Sequence, residues 1–197
     1  MDIISNLPDE LLLRILSSLP SNDVVATMLL SKRWQFLWTM VPKLDFDDSV
    51  HEYFGEHGVD YRVFQEYVDR VLASNKAPVL ETLKFKLSCR LSSTDDITTW
   101  LRIANARRVR ELEIYRSLKG DAYSFKLPQY LYAFQKLVVL KLYKLITLDV
   151  PVEVRLSSLK SLYLVSVHYK DEVSHRRLLA GCPVLEELVM DKSENEP

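Results

Sequence analysis

The side chains best suited to hold a metal or attack a substrate are four histidines, His51, His57, His168 and His175, and two cysteines, Cys89 and Cys182. Their spacing favours neither chemistry. No HExxH and no CxxC pair is present, so no zinc ligand set is assembled in sequence. His51 and His57 stand among Glu52, Glu56 and Asp60, but ligands on a loop are not preorganised for a cation, and a solvated loop is the favoured reading. No GxSxG elbow appears, and neither cysteine sits beside an activating motif. The chain has only four glycines and no GxGxxG or GxxxxGK[ST] cradle for phosphate. Carboxylates are numerous, yet nothing in the sequence sets a pair across a cleft. The expectation is a chain without catalytic residues, metal or cofactor, and a hydrolase or transferase is the least favoured class.

The bulk numbers agree. The 197 residues are 48% hydrophobic and 27% charged with a formal net charge of −1, an ordinary globular composition for one or two compact units. A balanced charge argues against a general nucleic-acid or membrane-surface binder. The cluster Arg107, Arg108 and Arg110, with Arg116 and Lys119 after it, lacks interleaved base-stacking aromatics and reads as a solvated edge. The segment with His168, His175, Arg176 and Arg177 reads as surface. No apolar run approaches the ~18 residues of a membrane span, and the acidic, amphipathic N-terminus lacks the basic region of a secretory signal. Two distant cysteines suit a reducing compartment. Cytoplasm, nucleus or both are expected, with no nucleic-acid and no membrane partner.

The elements at the N-terminus are short. Pro8 suits the first position of a helix, where its missing N–H costs nothing, and Asp9 and Glu10 follow at the positive end of the helix dipole. Leu11, Leu12, Ile15, Leu16 and Leu19 make a broad apolar stripe at helical spacing, ended by Pro20. Ser21-Asn22-Asp23 can cap a second helix carrying Val24, Val25, Met28 and Leu29. Ser31 can cap a third, with Trp34, Leu37, Trp38 and Val41 on one side. Three such helices cannot bury this much Leu and Trp alone, and a leftover apolar patch points to a partner. A plain bundle packed on the rest of the chain is the competing reading.

Leu7-Pro8-Asp9-Glu10-Leu11, the Leu19-Pro20 break and Lys32-Arg33-Trp34 occur in the order and at the distances of an F-box, which residues 1–45 resemble. The resemblance implies docking on the SKP-like adaptor of a cullin-based (SCF-type) ubiquitin ligase. It would turn Leu7, Pro8, Leu11, Ile15, Leu19 and Trp34 toward that adaptor. Residues 46–77 read as linker and helix. The acidic stretch Asp45 to Asp60 is expected as a loop, then Tyr61 to Ala73 as a helix with Phe64, Tyr67, Val68, Val71 and Leu72 at helical spacing, stopped by Ser74-Asn75-Lys76-Ala77-Pro78.

From residue 78 the chain repeats itself. An L-x-x-L-x-L pattern recurs at Leu80-Leu83-Phe85, Val109-Leu112-Ile114, Leu137-Leu140-Leu142, Leu159-Leu162-Leu164 and Leu185-Leu188-Met190, its middle residues 29, 28, 22 and 26 apart. The alternation inside each unit is strand-like, and the intervals suit a strand with a returning helix or turn. Ser93-Thr94-Asp95-Asp96 can cap one return helix, carrying Ile97, Trp100, Leu101 and Ala104. Val173 to Leu179, ended by Gly181-Cys182-Pro183, can form another. A mixed α/β domain with short Leu-rich strands competes.

With Trp100-Leu101, Arg108-Val109-Arg110-Glu111-Leu112 and Gly181-Cys182-Pro183-Val184-Leu185-Glu186-Glu187-Leu188, this half resembles the irregular leucine-rich repeats of plant F-box proteins, of the group that often carries a C-terminal FBD region. The fold expected is therefore α/β: a three-helix F-box, then about five repeats over 78–192 as a short irregular solenoid, and a tail, 193–197. Two departures stand out. The positions where many such repeats place Asn or Cys hold Ser88, Ser117, Leu145, Val167 and Ser193, so the curvature is open. The FBD region and a C-terminal cap are not visible, which implies a shortened chain or an end covered by a partner.

In such a repeat the residues between the leucines face outward on the concave side. One column reads Lys84, Glu113, Lys141, Tyr163, Val189, the next Lys86, Tyr115, Tyr143, Val165, Asp191. Tyr115, Tyr143 and Tyr163, with Lys141 and Glu113 beside them, are the candidate contacts for a target protein, because Tyr offers large area with one polar tip; strands favour Tyr in any case. The implied function is a non-catalytic substrate receptor that brings a target to the ligase through adaptor and cullin. The alternative is a repeat scaffold, or a shortened competitor for adaptor, that recruits no ligase.

Overall fold

The computed structural model describes residues 4–48, 61–87, 94–116 and 125–191. The protein is a mixed α/β fold, helical at its N-terminus and built on a parallel sheet thereafter. Three short helices come first: α1 (Asp9–Leu16), α2 (Ser21–Ala26) and α3 (Lys32–Leu37), the last two joined through a 3-10 turn at Thr27–Leu29. Their shared core is Leu12, Leu16, Val24, Trp34, Leu37 and Val41. Each fully buried side chain of this kind is worth roughly 1.5–3 kcal/mol, which explains why helices this short hold together. Pro8 sits one place earlier than expected, as the capping residue of α1, and Pro20, expected as the break after the first helix, caps α2; both have extended backbone. Ser21 is therefore inside α2, and its hydroxyl accepts the Asp45 N–H at 2.7 Å instead of capping the helix.

Strands and returns then alternate: β1 (Lys43–Asp47), α4 (Tyr61–Ser74), β2 (Thr82–Leu87), α5 (Thr94–Ala106), β3 (Glu111–Arg116), β4 (Phe125–Lys126), β5 (Val139–Tyr143), β6 (Ile146–Leu148), β7 (Ser161–Val165), β8 (His168–Tyr169), α6 (Ser174–Ala180) and β9 (Glu187–Asp191). The main sheet runs β1-β2-β3-β5-β7-β9, every neighbour parallel. The order never reverses, so each new strand is laid beside the last. A minor parallel sheet, β4-β6-β8, forms from segments between the main strands.

Register fixes what each strand offers. Leu44, Leu83, Leu112, Leu140, Leu162 and Leu188 pair in one row; Phe46, Phe85, Ile114, Leu142, Leu164 and Met190 pair in the next. The first five of each row are buried under the returns. An aromatic stack continues the second row into the helices: Phe46 on Phe85 (5.5 Å between centroids), Phe85 on Trp100 (5.3 Å), and Phe64 edge-on to Trp100 (6.1 Å). The Trp100 indole N–H donates to Asp69 at 2.7 Å, which joins α5 to α4. Ile97, Trp100, Leu101 and Ala104 all lie buried on α5.

One reading is corrected. Asp45 to Asp47 belong to a strand, not to the start of a solvated loop, and β1 straddles the expected boundary at residue 45. The cause is local: Val41-x-x-Leu44-x-Phe46 carries the same apolar spacing as the later repeats. Asp48, the next residue of that stretch, is buried rather than solvated; residues 49–60, with His51 and His57, lie outside the described residues, as do Cys89, Ser88, Ser117, Lys119 and Ser193.

Candidate functional site

Two surfaces emerge. The first is on the helices. α1 buries Leu12 and Leu16, while Leu11, Ile15 and Leu19 on the neighbouring stripe are 43%, 46% and 40% exposed. Pro8 is exposed and Leu7 half-buried at the head of the same stripe. Arg33, at the start of α3, ties this end down: its guanidinium donates to Asp9 (Nε to Oδ1, 2.9 Å) and to the Leu7 carbonyl. Trp34 does not join the stripe. It is 5% exposed and packs inside the bundle, because the face of α3 that carries it turns toward α1. Exposed Leu29, Leu30 and Phe36 extend the apolar surface beyond the residues singled out from sequence. For Phe36 a signal was available: on helical spacing it falls outside the stripe of Trp34 and Leu37.

The second surface is the open face of the sheet. Pairing aligns Asp45, Lys84, Glu113, Lys141, Tyr163 and Val189 across six strands, and Asp47, Lys86, Tyr115, Tyr143, Val165 and Asp191 beside them. Opposite charges alternate along the first column, and they pair: Lys84 with Glu113 at 3.4 Å, Lys141 with Glu111 at 2.9 Å and Glu113 at 4.0 Å, and Lys86 with Asp47 at 2.8 Å. Tyr115 and Tyr143 rings lie 6.3 Å apart, and Lys141 Nζ stands 5.5 Å from the Tyr163 centroid. The structure thus brings Tyr115, Tyr143, Tyr163, Lys141 and Glu113 onto one face, all half-buried. Asp45 and Asp47 extend it, and were missed with β1.

Titration follows the packing. Asp45 is exposed at the sheet surface, yet partial desolvation there raises its carboxyl above the ordinary range, with Lys84 opposing. Burial acts on Glu111 in the same sense, but the Lys141 hydrogen bond and charge outweigh it and hold Glu111 low. The hydrogen bond to Asp47 raises Lys86, and that to Glu111 raises Lys141. A shallow hollow of about 260 Å³ lies between Asp45, Asp47, Lys84, Lys86, Glu113 and Tyr115.

The groups with reactive side chains stand elsewhere. Cys182 is buried, its thiol on the Leu178 carbonyl at 3.2 Å, and burial pushes it up to about 11, the opposite of an activated nucleophile. His168 is exposed and His175 lies edge-on to Tyr169 at 6.1 Å. Among the described residues no group of three His, Cys, Asp or Glu could hold a metal ion, and no helix is long and apolar enough to cross a membrane.

Comparison with known proteins bears on both surfaces. The F-box domain model matches residues 4–46, and the model for "FBD-associated F-box protein At5g56370, LRR repeats" matches residues 97–197. In Arabidopsis thaliana the chain is 55% identical to the FBD-associated F-box protein At3g50710, covering 99% of this chain and 45% of that protein. It is 46% identical to the F-box/FBD/LRR-repeat protein At4g26340, covering 100% and 45%, and 44% identical to the F-box/FBD/LRR-repeat protein At2g04230, covering 98% and 43%. The chain spans less than half the length of these curated relatives. No solved structure matches.

Proposed function

The chain belongs to the FBD-associated F-box proteins with leucine-rich repeats, and from that premise we propose that it is a substrate receptor of an SCF-type ubiquitin ligase. The helical region over residues 1–45 docks on an SKP-like adaptor and through it on a cullin. The sheet, read as one face of a short irregular solenoid over 78–192 with β1 as an added first strand, holds the protein to be ubiquitinated. The receptor makes no bond itself; it raises the effective concentration of target lysines near the ubiquitin-charged enzyme. Its place of work is the cytoplasm, the nucleus or both.

The observation that carries this is the exposed stripe of Pro8, Leu11, Ile15 and Leu19 beside a bundle already packed around Trp34. An apolar face left open by a finished core is a surface for a partner. Trp34 supports that face from beneath. The test is co-purification of the chain with an SKP-like adaptor, alongside Leu11→Asp/Ile15→Asp. Capture by the wild type and loss by the variant supports the reading. A folded wild type that captures no adaptor returns the protein to the second reading, a repeat scaffold without a ligase.

A further inference from the structure

Lys84, Lys86 and Lys141 are each neutralised by a carboxylate on the open face. Lys144 is not. It follows β5 directly, is exposed, has no acidic partner among the described residues, and holds its Nζ 5.2 Å from the Tyr115 centroid. Its backbone is left-handed (φ 56), and so is that of Leu145 (φ 35). Residues with a Cβ disfavour this conformation, so something must fix it. The Lys144 N–H donates to the Val165 carbonyl at 2.9 Å, and the chain passes at once into the buried strand Ile146–Leu148. Ser166 makes the corresponding turn after β7, with φ 55 and its N–H on the Asp191 carbonyl at 3.0 Å. The turn thus recurs, and at β5 it sets an uncompensated cation beside the tyrosines.

The rest of the face is unfavourable to a carboxylate. Lys141 is occupied by Glu111 and Glu113, and Asp45 and Asp47 line the far side. The neighbours suited to an apolar side chain are the rings of Tyr143 and Tyr163 and Val165, adjacent in register. We propose that Tyr115, Tyr143 and Lys144 bind a peptide segment of the target in which an acidic residue lies next to an aromatic or branched aliphatic one, the acid on Lys144 and the apolar side chain against Tyr143 and Val165. This rests on the reading of the sheet as the target-binding face and adds the chemistry that the face selects.

The test is a random-peptide phage library selected on the full chain, with the selected peptide then measured by fluorescence polarisation. Enrichment of Asp or Glu beside Phe, Tyr, Leu or Ile is expected. Lys144→Glu should weaken that peptide about tenfold or more, as a like-charge contact does, and an Asp→Lys change in the peptide should restore binding to the variant. Lys144→Gly, which suits the left-handed turn, should keep the fold and lose the acidic preference. Peptides that depend on Tyr143 but show no acidic enrichment, or are indifferent to Lys144→Glu, overturn this proposal and leave the face as a binding surface. Peptides indifferent to Tyr115→Ala and Tyr143→Ala, or no selected peptide at all, overturn both.

Discussion

The Arg107 guanidinium donates to Asn75 at both its main-chain oxygen (2.9 Å) and its side-chain oxygen (2.7 Å), while the Asn75 amide donates to the Val41 carbonyl at 2.8 Å. Arg107 follows α5, Asn75 follows α4, and Val41 ends the helical bundle. One buried asparagine therefore links three parts of the chain. The Lys76 N–H on the Thr39 carbonyl and the Ser21 hydroxyl on Asp45 act at the same seam. The proposed adaptor surface and the sheet are joined directly through β1.

Removing that link should cost stability. Asn75→Ala leaves the Val41 carbonyl and part of the Arg107 guanidinium unpaired in a site where Asn75 is only 5% exposed. The expected loss is about 1–3 kcal/mol for each orphaned group. Urea unfolding should show a lower midpoint with unchanged slope. A variant as stable as wild type would mean that the seam carries no load.

The two stripes of α1 should respond oppositely. Leu12→Ala removes a fully buried side chain and should cost about 2–5 kcal/mol, and Trp34→Ala about 3–5 kcal/mol. Ile15→Asp, nearly half exposed, should leave the melting temperature within a few degrees and abolish adaptor capture. Thermal melts and capture measured on the same samples separate the roles. If Ile15→Asp unfolds the chain, the stripe is core after all.

Much of this was legible in the sequence, for a definite reason. The spacing of Leu83 and Phe85, Leu112 and Ile114, Leu140 and Leu142 sets which side chains go inward, and parallel pairing then aligns the residues between them without further information. That placed Tyr115 beside Tyr143 and Lys141 beside Tyr163. β1 escaped because the interval from Leu44 to Leu83, with α4 inserted, is longer than the later ones and its first residues overlap the helical motif. Trp34 escaped because a motif names residues but not the face they turn to. Lys144 escaped because a left-handed turn at a lysine leaves no compositional trace; glycine or asparagine would have.

Gly181 should not tolerate a side chain. A Cβ there would lie 2.2 Å from Val154 Cγ1 and 2.7 Å from the Val154 carbonyl oxygen. The Gly181 carbonyl also accepts the Leu156 N–H at 3.0 Å, which holds the two segments together. Gly181→Ala should destabilise by roughly 1–3 kcal/mol, the usual cost of overpacking. Adding Val154→Ala removes the Cγ1 contact but leaves the Val154 Cβ at 2.3 Å and the carbonyl oxygen, so a double-mutant cycle should show at most partial recovery. Full recovery would place the clash in Cγ1 alone.

Acid should separate Glu111 from Asp45. Lys141 holds Glu111 low, so Glu111 contributes stability above the unfolded glutamate value, and that contribution is lost as pH falls through the lower folded value. Asp45 is raised by partial desolvation at the sheet surface, so its ionised form opposes folding and acid removes the opposition. Between about pH 7 and pH 3, Glu111→Gln should lose less stability than wild type and Asp45→Asn more. Denaturant midpoints across that range decide, and parallel curves for all three proteins would contradict the assignment.

The last described strand should limit solubility. In the buried rows, Leu162 and Leu164 continue as Leu188 and Met190 of β9, but these are 41% and 47% exposed, and one edge of β9 is unpaired among the described residues. An apolar edge strand of this kind is a template for pairing with another chain. Leu188→Lys/Met190→Lys should change thermal stability little, since both side chains are already near solvent, while reducing concentration-dependent self-association in sedimentation velocity. A large fall in melting temperature with no change in association would show instead that these two residues are held in the core by the chain that follows β9.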